Sequence, residues 1–325
     1  MKLDLKDRRI LYELDRNARA SNVEIAKKAG ISKQVAGFRI KRLITSKMLT
    51  KFHTIIDIST LGYTVHKLFF RLQNLDKHSE ENLIAFLLRH PSVVWIAGCD
   101  GRFDLACGVW AENVETLDHT LAEFTREFGE CIAERQIATI LRGEYLPRDY
   151  LLGERRLNKQ RPSFGAVAAP SLLRELDWKI LHMLGKDARV SAVEIATSIK
   201  VNAETVSNHI HRLEKIGVIR GYTIVPNEEL YPYLHYKILI GLKNSSEEQE
   251  RSFRSFCQTH PSIVYLVKSL GPWEFEVDLE VEDSKKLRVI LMEMKTEFKD
   301  VLKDYSTLSL YKVYNYNFCP SIKET

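Results

Sequence analysis

The sequence lacks several features that define large classes of protein. Its 325 residues include five cysteines, an odd number, scattered and never at the two-residue spacing of a zinc-binding pair, so neither a disulfide framework nor a zinc site is indicated. No stretch approaches the roughly 18 uninterrupted apolar residues of a membrane span, and the N-terminus is charged where a secretory signal is apolar. We therefore expect reduced, mostly buried thiols, no metal, no membrane association and a cytoplasmic location.

Signatures of catalysis are also missing. The chain has no glycine-rich phosphate loop, no HExxH sequence and no G-x-S-x-G nucleophile elbow. Aspartate and glutamate are plentiful, yet no two of them have a spacing that marks a catalytic acid and base. The sequence therefore predicts no enzymatic activity, no catalytic residues and no cofactor.

The composition is that of an ordinary globular protein. Hydrophobic residues make up 45% and charged residues 28%, with only 15 glycines and 9 prolines, which excludes extended disorder. At about 150 residues per domain, the length predicts two or more domains. The net charge of +5 is compatible with a polyanionic partner but too small to identify one.

An internal repeat is the strongest feature of the sequence. At an offset of 170 residues, residues 23–26 (VEIA) recur as 193–196 and residues 90–92 (HPS) recur as 260–262. Between the copies, residues 151–170 contain a basic run from Arg155 to Arg161 and a small-residue tract from Gly165 to Pro170, which is typical of a linker. The predicted domains are residues 1–58 and 171–228 (winged helix-turn-helix), 59–150 and 229–325 (sensor), and 151–170 (linker).

The front of each copy has the pattern of a helix-turn-helix. Ser21 and Glu24 form a capping-box pattern that predicts the start of a second helix, and Ser191 and Glu194 repeat it. Gly30 can end that helix, and the third helix then begins near residue 33. The β-prone stretches 48–56 and 218–225 that follow predict a two-stranded wing in each copy.

The third helices make double-stranded DNA the expected partner, since a helix fits the major groove. Residues 32–51 contain six basic residues and no acidic one, whereas residues 202–221 contain three basic and two acidic residues. The second copy could read bases with weaker phosphate contacts or could have lost DNA binding. The candidate DNA-binding residues are Ser32, Lys33, Gln34, Gly37, Phe38, Arg39, Lys41, Arg42 and Lys51 in copy one, and Thr205, Ser207, Asn208, His209, Arg212 and Arg220 in copy two.

The back of each copy has the order β-α-β-β-α-β, which is that of a ferredoxin-like domain. Predicted strands at 65–72, 93–99 and 104–110 alternate with helices at 79–90 and 114–128, and the second copy repeats the pattern. The predicted fold class is therefore α+β, with two repeats of a winged helix-turn-helix joined to a ferredoxin-like sensor domain.

These patterns resemble the Lrp/AsnC (feast/famine) transcription regulators. The resemblance rests on residues 5–11 (LKDRRIL), 23–26 (VEIA), 90–93 (HPSV) and the hairpin 99–104 (CDGRFD). It implies that the sensor sheets pair into dimers and higher assemblies, and that an amino acid or similar small effector binds near the hairpin. By position, the implied effector-binding residues are Gly98, Asp100, Gly101, Phe103, Asp104, Ser269, Gly271, Trp273 and Glu274.

Two modules in one chain depart from the family's usual single module. We hypothesise that the two sensor domains pair within the chain, so that two unequal DNA readers face one asymmetric operator. Two other functions stay open: an interaction scaffold, and an enzyme similar to the siroheme decarboxylases, which look like paired Lrp/AsnC modules. Those enzymes carry histidine and tyrosine by the hairpin strands, whereas here residues 94–100 and 264–270 contain Trp95 and Tyr265 but no histidine.

Overall fold

The computed structural model describes residues 3–153, 162–165, 170–243 and 245–319 of the chain. Its helices are α1 (Leu5–Arg16), α2 (Asn22–Ala29), α3 (Lys33–Thr45), α4 (Lys77–Arg89), α5 (Val114–Phe128), α6 (Glu175–Lys186), α7 (Ala192–Ile199), α8 (Ala203–Lys215), α9 (Glu247–Thr259) and α10 (Ser284–Glu297). Its strands are β1 (Leu49–Ile56), β2 (Thr64–Leu72), β3 (Val93–Gly101), β4 (Leu105–Ala111), β5 (Ile132–Tyr145), β6 (Ser163–Gly165), β7 (Ile219–Pro226), β8 (Leu234–Leu242), β9 (Ile263–Leu270), β10 (Phe275–Val281) and β11 (Leu302–Tyr316).

The helix-turn-helix of each copy is set by local capping. Ser21 accepts a hydrogen bond from the Glu24 amide while the Glu24 carboxylate accepts one from the Ser21 amide, and Ser191 and Glu194 repeat both bonds. Gly30 ends α2 in the left-handed conformation with φ of 68°, as its position predicts. The predicted helix starts and turns are confirmed.

The prediction of a two-stranded wing within each copy is wrong, because the two copies share one two-stranded wing. Each copy contributes a single strand, and β1 pairs antiparallel with β7 of the other copy, with Phe52 opposite Ile224 and Thr54 opposite Tyr222. No turn follows β1 that could fold it into a hairpin, because the next strand, β2, belongs to the sensor sheet. The free edge of β1 is therefore paired by the equivalent strand of copy two.

Two arginines tie the winged helices together across this ribbon. Arg19 donates to the carbonyls of Ala188 and Val190 at 2.6 and 3.0 Å, and Arg189 donates to those of Ala18 and Ala20 at 2.7 and 3.1 Å. The buried apolar residues of both units form one continuous core, which includes Leu14, Leu43 and Leu184. The two helix-turn-helix units thus form one rigid pair.

Each sensor half is a four-stranded antiparallel sheet covered on its outer face by two helices. The strand order is β5-β2-β4-β3 in copy one and β11-β8-β10-β9 in copy two. Helices α4 and α5 pack over the first sheet, and α9 and α10 pack over the second. These are two ferredoxin-like domains, as the sequence pattern predicts.

Two long strands join the sheets. The first half of β5 pairs with β2 and its second half pairs with β9, whereas β11 pairs with β8 and then with β3. The eight strands close into a barrel, so the two sensor sheets pair within the chain as hypothesised. The short strand β6, inside the predicted linker, adds to β5, while the basic run 155–161 and residues 166–169 lie outside the described residues.

Among the described residues, no helix is both long and apolar enough to cross a bilayer. All five cysteines lie in described segments and are free thiols, and every one except Cys131 is buried.

The hairpin of copy one seats against β11 through a glycine. Gly101 has φ of +130°, and a Cβ atom added there would lie 2.6 Å from the Thr307 carbonyl oxygen. Gly101→Ala should therefore lower the free energy of unfolding by about 2–3 kcal/mol, which urea titration would measure.

Gly153→Ala is the matched control, since Gly153 also has positive φ, of +71°, but its added Cβ would contact nothing within 4 Å. Its cost should be about 1 kcal/mol, from backbone conformation alone. Equal losses in the two variants would show that the hairpin does not depend on close packing against β11.

Candidate DNA-reading helices and the junction cavity

Helix α3 presents one exposed stripe of side chains. Gln34, Phe38, Lys41 and Thr45 follow one another at the spacing of one helix face, and all four are exposed. Phe38 is 68% exposed, which is unusual for a phenylalanine on a rigid helix. An exposed aromatic ring among polar and basic side chains is suited to contact with the methyl group of thymine.

Helix α8 carries the equivalent stripe with different chemistry. Glu204, Asn208, His211 and Lys215 occupy the positions that correspond to those of the α3 stripe, and all are exposed. Asn208 stands where copy one has Phe38, and an asparagine can form two hydrogen bonds to the edge of adenine. The two helices therefore offer unlike surfaces to a partner.

Several of the predicted DNA-binding residues are engaged inside the protein. Arg39 and Arg42 pair with the buried Asp7 of α1 at 2.8 and 2.6 Å. In copy two, His209 and Arg212 pair with the buried Asp177 at 2.7 and 2.6 Å. These four side chains fasten the third helix to the first, so their removal would leave a buried carboxylate unpaired.

The wing residues among the candidates also face inward or across the interface. Lys51 donates to the Tyr316 carbonyl at 3.1 Å, and burial lowers its pKa to about 8. Arg220 pairs with Asp57 at 2.8 Å. Both side chains are therefore held by contacts within the protein.

The remaining candidates lie on the reading helices. Ser32 caps α3 by accepting from the Val35 amide, and Ser207 donates to the Ala203 carbonyl. Gly37 and Thr205 are partly exposed. Of the six basic residues counted in copy one, Lys33, Lys41 and Lys47 are exposed without an ion-pair partner in the described chain, which makes the local charge available to phosphate smaller than the sequence count.

The structure does not gather the nine implied effector residues into one pocket. Phe103 and Trp273 are buried in the barrel interior with ring centroids 6.2 Å apart. Asp104 and Glu274 accept hydrogen bonds from the Leu72 and Leu242 amides, both at 2.7 Å. The others belong to the hairpins that seat on the long strands: Gly98, Asp100, Gly101, Ser269 and Gly271.

A different site is present between the barrel and the winged-helix pair. We call it the junction cavity; its volume is about 260 Å³. None of the nine implied effector residues lines it. Its principal lining residues are Asp15, Lys67, Trp95, Tyr145, Arg148, Thr223, Val225, His235, Lys237, Tyr265, Asp278, Glu280, Val313 and Tyr316, with the exposed Arg16, Asn17 and Lys28 at its solvent side.

Buried ion pairs form the floor of the junction cavity. The Lys67 ammonium lies 2.6 Å from the Glu276 carboxylate, and Lys237 lies 3.2 Å from Glu276 and 2.5 Å from Asp278. Burial disfavours the charged forms of Lys237 and Asp278. The attraction of Lys237 nevertheless holds the pKa of Asp278 well below its usual range. Both lysines also lie within 6.0 Å of the centres of the Trp95 and Tyr265 rings.

His235 is the histidine that lines the junction cavity. Burial opposes its charged form, yet the carboxylates of Asp278, Glu228 and Glu280 raise its pKa to about 9. The distances from the imidazole are 3.4 Å to Asp278 and 3.7 Å to Glu228. The imidazole is therefore a cation at neutral pH.

Arg148 connects the cavity to the first winged helix. It donates two hydrogen bonds of 2.8 Å to Glu280 on β10, and it contacts the Asp15 carboxylate at the end of α1. Thr223 of β7 donates to the same Asp15 at 2.9 Å. Asp15 of the first winged helix is thus bound both by Arg148 and by a strand of the second winged helix, on one wall of the cavity.

Sequence reasoning missed this site. It found no two acidic residues whose spacing marks a catalytic acid and base, and it did not foresee that Glu276, Asp278 and Glu280 are all buried on one face of β10. Charged residues at every second position of a central strand were the available signal. The histidine, His235, enters from β8 and not from the hairpin strands.

Comparisons with known proteins agree with this architecture. Residues 3–44 match the AsnC-type helix-turn-helix domain, and residues 173–220 match a winged helix-turn-helix DNA-binding domain. The chain is 30% identical over 130 residues to the leucine-responsive regulatory protein of Rhizobium meliloti, covering 40% of this chain and 83% of that protein. This chain belongs to the Lrp/AsnC family.

Other similarities extend the match. The transcriptional regulator AldR of Mycolicibacterium smegmatis is 27% identical over 137 residues, which cover 42% of this chain and 80% of that protein. The siroheme decarboxylase NirDL superposes with a TM-score of 0.60 at 13% identity, covering 98% of this chain and 95% of that one. At that identity the likeness establishes a shared tandem fold for this Lrp/AsnC protein and nothing about its chemistry.

The raised pKa of His235 predicts a pH dependence of stability. Because the folded pKa of about 9 exceeds the ordinary 6.5, the stabilisation is complete below pH 6.5 and is lost as the pH rises through 9. The unfolding free energies of the wild type and His235→Gln should therefore differ by up to about 3 kcal/mol at pH 6 and converge above pH 9.

Imidazole NMR titration checks the same point directly. The His235 resonances should titrate near pH 9, whereas His66, whose pKa is lowered by burial, should titrate below 6.5 in the same spectra. Titration of His235 near its ordinary pKa would contradict the ion pairs with Asp278 and Glu228.

Proposed function

We propose that the protein is a sequence-specific transcriptional regulator in which one chain carries two unequal DNA readers, and that a small effector modulates its binding. The observation that carries the proposal is the rigid pairing of the two helix-turn-helix units. The β1–β7 ribbon and the reciprocal bonds of Arg19 and Arg189 hold α3 and α8 in a fixed relation. Such a pair presents two recognition helices to one duplex without a second chain.

The difference between the readers implies an asymmetric operator. Lys33 and Lys41 of copy one are replaced by Ala203 and His211 in copy two, so phosphate attraction is concentrated on α3. Since half-site symmetry mirrors protein symmetry, unequal readers favour unequal half-sites. Selection of bound fragments from the organism's own genomic DNA, followed by footprinting, tests this, and a perfect palindrome bound by single chains would contradict it.

The exposed lysines of α3 should set the salt dependence of binding. Lys33→Ala/Lys41→Ala should weaken DNA binding and reduce the slope of log K against log salt by about 2, because each phosphate contact contributes roughly 0.9. Thermal unfolding should be unchanged, since both side chains are exposed and unpaired in the described chain. Fluorescence anisotropy over a salt series measures both the affinity and the slope.

Lys285→Ala/Lys286→Ala is the matched control, because it removes the same charge from exposed positions on α10 of the sensor half. Its slope should equal that of the wild type. An equal loss in both variants would mean that net charge, and not α3, determines the binding.

Phe38 should recognise a thymine methyl group. On a selected site, replacing the contacted thymine with deoxyuridine should weaken wild-type binding by about 1 kcal/mol and leave the affinity of Phe38→Ala unchanged. Asn208→Ala serves as the control, since it should retain sensitivity to the methyl group in the copy-one half-site. If no thymine in the site shows this coupling with Phe38, the exposed ring does not read that base.

An effector remains part of the proposal. The resemblance implies an amino acid near the hairpins, in an assembly of several chains, and the hairpin turns at Asp100 and Gly271 are exposed at the barrel surface. Calorimetric titration with the common amino acids, alone and with DNA present, tests whether one binds and changes DNA affinity. Self-association through the sensor halves is tested by sedimentation at several concentrations.

A second candidate function is a tetrapyrrole enzyme, favoured by one observation. The junction cavity holds a histidine, two lysines and several tyrosines within a fold similar to that of NirDL. We propose instead that the chain is not such an enzyme, because residues 94–100 and 264–270 of the hairpin strands contain no histidine and a cavity of about 260 Å³ is small for a tetrapyrrole. Release of carbon dioxide from siroheme by the purified protein would overturn this.

A further inference from the structure

We propose that the junction cavity binds a small, uncharged heteroaromatic compound bearing carbonyl or ring-nitrogen acceptors, a molecule of about the size of a nucleobase, and that its occupancy is coupled to DNA binding. The coupling to DNA binding rests on the proposed function, whereas the binding of the ligand does not. The site differs from the hairpin site that the family resemblance implies, since the two sets of residues have no member in common.

The size and the walls of the cavity indicate a ring. A volume of about 260 Å³ suits a small metabolite. Trp95, Tyr145, Tyr265 and Tyr316 contribute aromatic surface, and Tyr145 meets Tyr265 edge to face with centroids 5.0 Å apart. Aromatic walls of this kind favour a planar aromatic ligand through offset or edge-to-face packing.

The charges of the interior indicate an uncharged ligand. Lys67 and Lys237 pair with Glu276 and Asp278, Arg148 pairs with Asp15 and Glu280, and His235 lies between Asp278 and Glu228. A carboxylate or ammonium entering this network would have to break an existing buried pair, which is costly because it leaves one partner uncompensated. A neutral ring leaves every pair intact.

Two donors in the lining indicate where the ligand would be held. Tyr265 and Trp95 line the cavity, and in the part of the chain that the structure describes neither the Tyr265 hydroxyl nor the Trp95 indole nitrogen donates to a protein acceptor or is fully sealed from solvent. Both donors are therefore available to a ligand. Acceptor atoms on a bound ring would satisfy both.

The position of the cavity explains the coupling. Its lining includes Lys237 and Tyr265 from the barrel, Asp15 from α1 and Thr223 from β7 of the winged-helix pair. A ligand held between the two units therefore alters the contact through which the winged helices rest on the barrel. The Arg148 link to Asp15 has no equivalent in copy two, where Phe318 and Gly185 occupy the matching positions.

The binding test uses the full chain and defined probes in isothermal titration calorimetry without DNA. Hypoxanthine and uracil, which are uncharged at neutral pH, should bind, whereas orotate, which is uracil with a carboxylate, and L-phenylalanine should bind at least about tenfold more weakly. Failure of both bases to bind, or preference for orotate or L-phenylalanine, would overturn the proposed ligand chemistry.

A conservative variant locates the site. Tyr265→Phe removes one hydroxyl and keeps the ring, and it should weaken hypoxanthine binding by about tenfold without changing the unfolding temperature. Tyr305→Phe removes the same atom from β11 among residues packed against the copy-two helices, and it should bind like the wild type. Equal affinities for the wild type and Tyr265→Phe would place the ligand elsewhere.

The coupling test adds selected DNA. Hypoxanthine should change DNA affinity, and DNA should change hypoxanthine affinity by the same factor, because linkage is reciprocal. Ligand binding with no mutual effect would overturn the coupling and leave the site standing. Loss of DNA binding alone would count against the proposed function, since the titration without DNA reports on the cavity independently.

Discussion

The structure depends on the exchange of two long strands. Residues 132–145 and 302–316 each begin in the sheet of their own copy and end in the sheet of the other, so every edge of the two four-stranded sheets is paired. Edges left open would be prone to pairing with other chains, and closure removes them. Closure also brings the ends of β5 and β11 beneath the winged helices, where Tyr145 and Tyr316 share a hydrogen bond of 2.9 Å.

Within this pseudo-symmetric frame the two copies have diverged in chemistry. The acidic face of β10, with Glu276, Asp278 and Glu280, corresponds to Ala106, Gly108 and Trp110 on β4. The fold tolerates the difference because the charges of copy two are neutralised by cations from both copies. The third helices have also diverged. Each is fixed by an ion pair with an aspartate of α1 or α6, so the residues of its exposed stripe can differ without loss of the fold.

The sequence predicts what local interactions determine. Helix starts follow from Ser21 and Ser191, whose capping partners lie three residues away, and the sensor order follows from strand and helix periodicity. The prediction of a wing within each copy failed because the partner strand of β1 lies about 170 residues further along the chain, where no turn sequence could indicate the pairing. Arg39 and Arg42 were predicted to bind DNA. Their actual partner, Asp7, lies more than 30 residues away in the sequence, so no local pattern indicates the contact. The junction cavity is assembled from segments of both winged helices and both sensor domains, so no local pattern reveals it as one site.

A single chain permits a contact that a symmetric homodimer would have to duplicate. Lys67 and Lys237 are equivalent by the repeat, and both approach one carboxylate, Glu276, at 2.6 and 3.2 Å. In a homodimer, each lysine would face a second copy of that acid, which would crowd two further buried charges into the same interior and raise the desolvation cost. Fusion of the modules allows Ala106 to occupy the position equivalent to Glu276, so that one acid serves two cations. The asymmetry of the barrel interior is therefore one that a single chain permits and two identical chains do not.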